Sequence, residues 1–460
     1  MYRLKQLTLL FGDLVCLYAG LYLGVALRHW QWPAPERTLA LLAGPLTLLF
    51  LAAVVILFVA GLYDVGRTKN SWTFFQKLLI GSGTWLAIGV LYFYANPRTI
   101  VTPKTTLALI TASGWTLLAL WRAVYNRFLA RTIWQTNLVF AGYRGEVEEL
   151  VNYLARQPEH GFAVAGLLLP TAETLPAALA AYPRAERLAD LVSALGRYPN
   201  IIVIAPESAN NELLLKDLYQ ALFRQASIAS LEKFYEDIFG RVPAFTFSES
   251  YFVAHLKEQE KRVYDRLRIL ADYLVALLMG AVWLATLPLI ALGVALTSRG
   301  PVFFRQERVG RGGRPFMLYK YRTMRALAPD GSAETAGPQF AQQGDTRITT
   351  VGRFLRRTRL DELPQFINIL RGEMGLVGPR PERPEFVAEL TKQMPYYQLR
   401  HLIKPGLTGW AQLHRAYYGT LEENLFKLQY DLYYIKNRSF LLDLAIVLRT
   451  FNILVRLAGR

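Results

Sequence analysis

Cysteine is almost absent from this sequence: Cys16 is the single example in 460 residues, and it lies within an apolar run. One cysteine excludes a disulfide framework, a cysteine-built zinc site and a CxxC redox pair within one chain. The five histidines form no HExxH motif or other close pairing, which disfavours a metal site built from histidine. The first apolar run lacks the small-residue cleavage site of a signal peptide, so we predict that it is a membrane anchor.

Acidic residues are also in deficit, with 35 Asp and Glu against 52 Lys and Arg, and the formal net charge is +17. Such an excess predicts anionic partners, which could be nucleic acid, acidic lipid headgroups or phosphorylated substrates. Hydrophobic residues make up 53% of the chain and are concentrated in long runs, as in membrane proteins. Because the sequence contains no recognised nucleic-acid module, we expect the positive charge to lie at a membrane surface rather than on nucleic acid.

Four apolar stretches occupy the first third of the sequence, each about long enough to span a bilayer: 7–27, 39–62, 78–95 and 107–121. Lys and Arg are concentrated before the first stretch, between the second and third, and after the fourth. By the positive-inside rule, residues 1–131 are predicted to form a four-helix transmembrane unit with both ends in the cytoplasm.

Residues 132–250 have the pattern of a soluble α/β domain. Apolar runs predict strands at 137–141, 163–169 and 201–205, with helices at 146–156 and 212–225. The first strand is followed by Gly142-Tyr143-Arg144-Gly145, which outlines a Rossmann first turn, but the three-glycine motif is incomplete. We therefore predict a degenerate Rossmann-like domain, and both cofactor binding and a structural or regulatory role stay open.

A fifth apolar run, 269–296, carries basic residues on both flanks. Both flanks therefore prefer the cytoplasm, which a straight span cannot satisfy. We predict a re-entrant helix over about 266–297 that enters the membrane and returns, with its break at Pro288. The alternative is an ordinary fifth span. Residues 440–457 are apolar but interrupted by charges, which suits an interfacial helix.

Two adjacent carboxylates, Asp361 and Glu362, follow a run of arginines that includes Arg356. Pro364 has no N–H and is tolerated only near a helix start, so a helix is predicted to begin close to Asp361. Free N–H groups, the helix dipole and the guanidinium groups would together bind phosphate oxygens. Simple capping by Asp361 and solvent exposure of Glu362 is the alternative.

Paired carboxylates in a basic pocket suit attack on a phosphoryl group, if arginines and a divalent ion offset the charge repulsion. Mg²⁺ favours such oxygen ligands, with substrate phosphates completing its shell. Segments 320–324, 378–382 and 404–406 offer further phosphate ligands, although each alone is explained by surface charge on a turn. The candidates are Lys320, Arg322, Arg380, Glu382 and Lys404.

The motifs of the last 200 or so residues occur together and in order: Gln-Glu-Arg-Val-Gly at 306–310, Lys-Tyr-Arg-Thr-Met at 320–324, Leu-Asp-Glu-Leu at 360–363, Gly-Glu-Met-Gly-Leu-Val-Gly-Pro-Arg-Pro-Glu at 372–382, Lys-Pro-Gly-Leu-Thr-Gly-Trp-Ala-Gln at 404–412 and Tyr-Asp-Leu-Tyr-Tyr at 430–434. This set resembles the bacterial sugar transferases, the polyprenyl-phosphate sugar-1-phosphate transferases of the monotopic phosphoglycosyl transferase superfamily. The preceding four-span unit and Rossmann-like domain resemble the large, multi-domain branch of that family.

The resemblance implies an α/β catalytic domain over 251–460 and a role for each candidate residue. Asp361 would attack the diphosphate of a UDP-sugar and release UMP, and Glu362 would help to hold Mg²⁺. The phosphosugar would then pass to polyprenyl phosphate, which starts synthesis of a surface glycan such as exopolysaccharide, capsule or O-antigen. Further residues would line the phosphate and metal region: Arg356, Arg380 and Asp431, with Lys320, Arg322, Glu382, Lys404 and Arg415 as additional phosphate or substrate ligands.

Two details depart from the family pattern. Leu287-Pro288 replaces the Ser-Pro found at the helix break of some members, and His414-Arg415-Ala416 replaces an Asn-Gly-Arg turn. The resemblance further implies a bacterial inner-membrane location, a cytoplasmic catalytic domain and a possible homodimer. Two rival functions stay open: a membrane-tethered Rossmann dehydratase or oxidoreductase for nucleotide-sugars, and a membrane scaffold without enzymatic activity.

Overall fold

The computed structural model describes residues 2–63, 70, 72–95, 104–127, 136–157, 160–169, 175–196, 199–224, 226–256, 261–327, 333, 345–414 and 420–455. The chain divides into two compact units, Met1–Phe234 and Tyr235–Arg460. The domain boundaries proposed from the sequence, after residues 131 and 250, stay predictions.

Four long helices open the first unit: α1 (Tyr2–His29), α2 (Glu36–Val59), α3 (Trp72–Ala95) and α4 (Lys104–Val124). They overlap all four predicted apolar spans. Among the described residues, five helices are long and apolar enough to cross a membrane, and four of them are these. The membrane character predicted from the sequence is therefore confirmed, whereas the number of helices that cross the bilayer stays a prediction.

A buried ion pair joins α1 to α4. The Arg122 Nε and Nη2 atoms donate to the Asp13 carboxylate at 2.9 and 2.6 Å, and the Tyr63 hydroxyl donates to it at 2.7 Å. The two helix backbones can approach closely because glycines face each other: a Cβ on Gly20 would lie 2.2 Å from the Cα of Gly114. Charges inside a membrane unit are costly unless they are paired, so this contact fixes the register of α1 against α4.

A five-stranded parallel sheet with strand order β3-β2-β1-β4-β5 follows the helices. Its elements are β1 (Thr136–Ala141), α5 (Gly145–Arg156), β2 (Phe162–Leu168), α6 (Ala177–Ala180), β3 (Arg184–Ala185), α7 (Leu188–Leu195), β4 (Ile201–Ile204), α8 (Glu212–Phe223), β5 (Ser227–Ser230) and α9 (Leu231–Phe239). The three predicted strands are confirmed as β1, β2 and β4, and the two predicted helices as α5 and α8. This order is that of a Rossmann-like domain.

Side chains occupy the crevice at the carboxyl ends of β1 and β4, where a doubly wound sheet would bind a nucleotide. Gly142 follows β1 with φ +94°, and a Cβ there would lie 2.5 Å from the Ser208 Oγ. Arg144 and Glu207 form an ion pair across the same crevice. The turn therefore keeps the Rossmann backbone, and Ser208, Arg144 and Glu207 lie beside it.

The second unit contains one long helix and a set of short elements. They are α10 (Glu249–His255), α11 (Arg262–Thr297), β6 (Phe303–Val309), β7 (Pro315–Tyr321), α12 (Thr350–Thr358), α13 (Phe366–Leu370), β8 (Gly375–Val377), α14 (Pro384–Gln393), β9 (Gly406–Thr408), α15 (Trp410–His414), α16 (Leu421–Asn437) and α17 (Phe440–Val455). β6 and β7 form an antiparallel hairpin, and β8 pairs with β9 in parallel.

Pro288 lies inside α11, and the break and the re-entrant path predicted there stay predictions. α11 continues through it, because a proline inside a helix removes one backbone hydrogen bond and favours a bend rather than a stop. Packing supports the helix on both sides of this position. Trp283 lies 5.4 Å from the ring of Phe366, and Val294 packs in a cluster with Leu355.

Candidate active site

The backbone around the two adjacent carboxylates is a 3₁₀ helix, Leu360–Gln365. Arg359 caps the end of α12 with φ +59°, and this left-handed residue turns the chain so that Asp361 and Glu362 lie in the first turn of the next helix. Pro364 lacks the N–H that an α-helix would use in its following turn. A helical segment thus begins near Asp361 as predicted, but its first six residues form a 3₁₀ turn before α13, and so short a turn contributes little macrodipole.

Strand β7 brings a lysine to these carboxylates. Alternation along the strand places Phe316, Leu318 and Lys320 on one face, and the first two are buried in a core with α11 and α13. Asn368, which is fully buried on α13, holds β7 in place by donating to the Met317 carbonyl at 2.7 Å. Lys320 therefore follows the two buried apolar residues on this face of β7 and lies next to Glu362.

Three cations surround the Glu362 carboxylate. Its Oε1 atom lies 3.5 Å from both the Lys320 Nζ and the Arg380 Nη2, and its Oε2 atom lies 3.5 Å from the Arg359 Nη1. Charge-assisted hydrogen bonds are usually about 2.7–2.9 Å long. The three cations therefore lie slightly farther from the carboxylate than in a close charge-assisted hydrogen bond. Arg356, from α12, contributes positive charge beside Asp361.

The two carboxylates are 8% and 7% exposed, and their pKa values move in opposite directions. Burial and the neighbouring Glu362 charge raise the pKa of Asp361 to about 6. Burial alone would also raise the pKa of Glu362, but Lys320, Arg380 and Arg359 lower it to about 2. Glu362 is thus an anion at neutral pH, and Asp361 is the more basic of the two carboxylates.

Arg380 and Glu382 belong to one loop but serve different clusters. Arg380 faces Glu362, whereas Glu382 pairs with Lys427 and lies 3.7 Å from the Arg308 guanidinium. Burial would raise the pKa of Glu382, but Lys427 and the neighbouring arginines lower it to about 2. Glu382 is therefore an ion-pair partner behind the loop rather than a group facing the two carboxylates.

Asp431 is likewise held by a cation. It lies on α16 and accepts from the Arg400 Nη2 and Nε atoms at 2.8 and 3.2 Å, with both side chains almost fully buried. Arg322 donates to the backbone carbonyls of Ser298 and Arg299 at 2.7 and 3.0 Å, so it caps the end of α11. Neither contact faces Asp361 or Glu362.

The remaining sequence candidates lie elsewhere. Lys404 lies beside Gly372, where an added Cβ would be 3.3 Å from its Nζ, and burial lowers its pKa. Arg415 falls outside the described residues. The structure therefore brings together Lys320, Arg356, Asp361, Glu362 and Arg380, and it places Arg322, Glu382, Lys404 and Asp431 in separate contacts.

Sequence reasoning missed Arg400, Lys427 and Asn368. The signal for Lys427 was its spacing from Asp431, since residues four apart lie on one helix face and these two sit among buried apolar positions of α16. A buried charge pair of that kind needs partners elsewhere. Arg400 and Asn368 carried no comparable local signal.

The site's donors fit a magnesium ion better than a metal held by protein alone. Among the described residues, no group of three or more His, Cys, Asp or Glu side chains could hold a metal. Mg²⁺ commonly takes one or two carboxylates and completes its shell with water and substrate phosphates. Asp361 and Glu362 supply those two carboxylates, and the surrounding cations would attract the phosphates.

Replacing each carboxylate by its amide is expected to shift the free energy of unfolding in opposite directions. Asp361→Asn removes a group whose pKa rises on folding, so the variant gains about 1–3 kcal/mol near neutral pH. The gain develops between about pH 4 and pH 6, as the wild-type carboxyl ionises in the unfolded chain before the folded one. Glu362→Gln removes a group whose pKa falls on folding, so that variant loses stability above about pH 4.5.

Thermal unfolding of the detergent-solubilised protein, followed by tryptophan fluorescence against pH, measures both changes. Glu389→Gln is the matched control, since Glu389 is an exposed acid on α14 and its loss should leave the transition unchanged. A shift of both site variants in the same direction would contradict the assigned charges.

The chain is similar to known proteins over a segment that contains this site. Residues 263–457 match the family model of the bacterial sugar transferases. The UDP-glucose:undecaprenyl-phosphate glucose-1-phosphate transferase of Xanthomonas campestris pv. campestris is 34% identical over 365 residues, which cover 72% of this chain and 68% of that protein.

Two further relatives match over a shorter length. The UDP-N-acetylgalactosamine-undecaprenyl-phosphate N-acetylgalactosaminephosphotransferase of Aeromonas hydrophila is 44% identical over 184 residues, 40% of this chain and 41% of that protein. The UDP-glucose:undecaprenyl-phosphate glucose-1-phosphate transferase of Escherichia coli (strain K12) is 45% identical over 163 residues, 35% and 34% of the two chains. The match thus spans less than half of these two relatives. Together with the longer match, these similarities establish that the chain belongs to the bacterial sugar transferase family.

Proposed function

We propose that this protein transfers a sugar 1-phosphate from a UDP-sugar to undecaprenyl phosphate or a similar polyprenyl phosphate. The observation that carries the proposal is the buried Asp361–Glu362 pair, whose pKa values diverge within a cluster of cations. The relatives' names supply the two substrates, because each names a UDP-sugar or a sugar phosphate together with undecaprenyl phosphate.

In the first step, an Asp361 carboxylate oxygen attacks the phosphorus that carries the sugar. A bond forms between this oxygen and phosphorus as the bond to the bridging oxygen breaks, and UMP leaves with the electron pair. The enzyme then holds an acyl phosphate linked to the sugar. The raised pKa of Asp361 favours this step, because a more basic carboxylate is a better nucleophile and is still ionised near neutral pH.

In the second step, a phosphate oxygen of the polyprenyl phosphate attacks the same phosphorus. The bond to Asp361 breaks, the carboxylate is regenerated, and the product is a polyprenyl diphosphate sugar. Two displacements at one carboxylate give ping-pong kinetics. The product would start synthesis of a surface glycan.

Charge compensation is the task of the other residues at the site. Lys320, Arg356 and Arg380 would bind the diphosphate oxygens and lower the repulsion between the substrate and two carboxylates. A magnesium ion held by Glu362 and Asp361 would supply Lewis-acid polarisation of the phosphoryl oxygens. Glu362, with its lowered pKa, stays ionised for this purpose.

The lipid acceptor would reach the site because α11 lies in the membrane and returns to the same side. The candidate span Val263–Thr297 has 35 residues, about 52 Å at 1.5 Å per residue, against a hydrocarbon core of about 30 Å. Near its start Asp272 accepts from the Leu376 N–H at 2.9 Å, and its end is capped by Arg322. Since Leu376 and Arg322 belong to one compact unit, a straight span would need that unit on both sides of the bilayer.

The two rival functions lack a supporting observation of this kind. An oxidoreductase would need dinucleotide space in the Rossmann-like domain, where Ser208 and the Arg144–Glu207 pair lie. A scaffold would have no use for a buried carboxylate with a raised pKa. We further propose an inner-membrane location with the catalytic domain facing the cytoplasm, following the basic flanks of the helices.

Purified protein in detergent or lipid is given UDP-hexoses and Mg²⁺, with or without undecaprenyl phosphate. We expect it to release UMP over multiple turnovers only when undecaprenyl phosphate is present. Asp361→Asn should lower the rate by about 10³-fold or more, because the neighbouring carboxylate, Glu362, has a lowered pKa and is the weaker nucleophile. Glu389→Gln serves again as control and should keep the wild-type rate. Turnover of the Asp361 variant at the wild-type rate would remove this residue from the mechanism.

Chemical labelling of cysteines can determine whether the two ends of α11 lie on the same side of the membrane. In a Cys16→Ser background, Arg266→Cys and Arg299→Cys place single thiols at exposed positions near the two ends of the helix. We expect a membrane-impermeant maleimide to label both in inside-out vesicles and neither in intact cells. Gln31→Cys, between α1 and α2, should label from the opposite side.

Labelling of one α11 end from each side would show a straight span and would place the proposed site outside the cytoplasm. The positive-inside argument would then be wrong for this helix.

A further inference from the structure

The loop that presents Arg380 is fixed at every carbonyl from Pro379 to Glu382. The Pro379 carbonyl accepts from the Gly406 N–H at 3.0 Å, and the Glu382 carbonyl accepts from the Val309 N–H at 2.9 Å. Between them, the carbonyls of Arg380 and Pro381 accept from side chains of other elements. Because proline has no N–H, two of these four residues can be held only through their carbonyls.

Arg400 makes the contact that holds the Arg380 carbonyl in this loop. Its Nη2 atom donates to the Arg380 carbonyl at 2.9 Å, and its Nη1 atom donates to the Tyr397 hydroxyl at 2.9 Å. The Arg400 Nε and Nη2 atoms also donate to the Asp431 carboxylate, and Arg400 is 2% exposed. Each of these hydrogen bonds goes to a protein group, and one of them goes to the backbone carbonyl of Arg380. Arg400 can therefore fix the position of that backbone.

Asp431 is then the counter-ion of Arg400. A buried guanidinium without a carboxylate would be strongly unfavourable, and Asp431 is itself 2% exposed. The chain of contacts runs from Asp431 through Arg400 to the Arg380 backbone, and from the Arg380 side chain to Glu362 at 3.5 Å. It links α16 to the candidate active site without Asp431 facing the phosphates.

We propose that Arg400 is a positioning residue for phosphoryl transfer: it holds the backbone of Arg380 so that the Arg380 guanidinium lies beside Glu362, and Asp431 serves as its counter-ion. This inference rests on the proposed function for its catalytic consequence. It assigns Asp431 a role behind the loop instead of the phosphate and metal contact expected from the sequence.

A double-mutant cycle in the full-length protein tests the proposal. Arg400→Lys keeps a cation but loses the planar fork, so kcat/KM for the UDP-sugar should fall by about 10- to 100-fold as Arg380 shifts by an ångström or so. In an Arg380→Ala background the same change should cost less than about threefold, because the group that it positions is gone. Asp431→Asn should behave as Arg400→Lys does in both backgrounds.

Arg383→Lys is the matched control, since Arg383 follows the same loop and pairs with the exposed Glu385 at 3.3 Å. It should leave kcat/KM unchanged in either background. If Arg400→Lys does not fold, Tyr397→Phe removes one hydrogen bond to Arg400 and takes its place in the cycle. Equal losses with and without Arg380 would overturn the positioning role while leaving the transfer activity intact.

A second cycle, on thermal stability, needs no turnover and separates this inference from the proposed function. If Arg400 keeps Arg380 beside Glu362, Glu362→Gln should destabilise the Arg400→Lys protein less than it destabilises the wild type. Additive changes in unfolding temperature would contradict the link, whether or not the protein releases UMP.

Discussion

The burial of two neighbouring carboxylates in one first turn is the constraint on which the rest of the catalytic unit depends. Asp361 and Glu362 repel each other and lose most of their hydration, so the folded state needs positive charge close by. Lys320 comes from a hairpin, Arg359 from the end of α12, and Arg380 from a loop braced by α16. Each element is held by contacts with other parts of the second unit, so the site depends on the fold of that unit.

The compensation is unequal, and under the proposed function this inequality suits the site to phosphoryl transfer. The described contacts at 3.5 Å all go to Glu362, whose pKa falls, while burial and the Glu362 charge raise the pKa of Asp361. In the proposed reaction, Asp361 would thereby be available as the nucleophile and Glu362 as a fixed anion for a metal cation. In the proposed reaction the substrate phosphates would stabilise the site, because their negative charge balances the positive charge of the Lys and Arg side chains around it.

Features dictated by local pattern could be predicted from the sequence: the apolar helices, the strands β1, β2 and β4, and the Asp361–Glu362 pair among arginines. Features set by distant contacts could not. Pro288 stays inside α11 because tertiary packing on both sides outweighs one lost hydrogen bond. The 3₁₀ turn at Asp361 depends on the left-handed Arg359, and Arg400 acquires its role only when α16 meets a loop about 50 residues earlier.

The central claim, covalent attack by Asp361, is tested most directly by the mass of the intact protein after incubation with a UDP-sugar and Mg²⁺ in the absence of lipid acceptor. The account predicts an added mass equal to one sugar phosphate, carried on the peptide that contains Asp361 and removed when polyprenyl phosphate is supplied. Asp361→Asn should show no adduct. Lipid-dependent UMP release by the wild type with no adduct under rapid quenching, and with full activity in the Asp361 variant, would contradict the account.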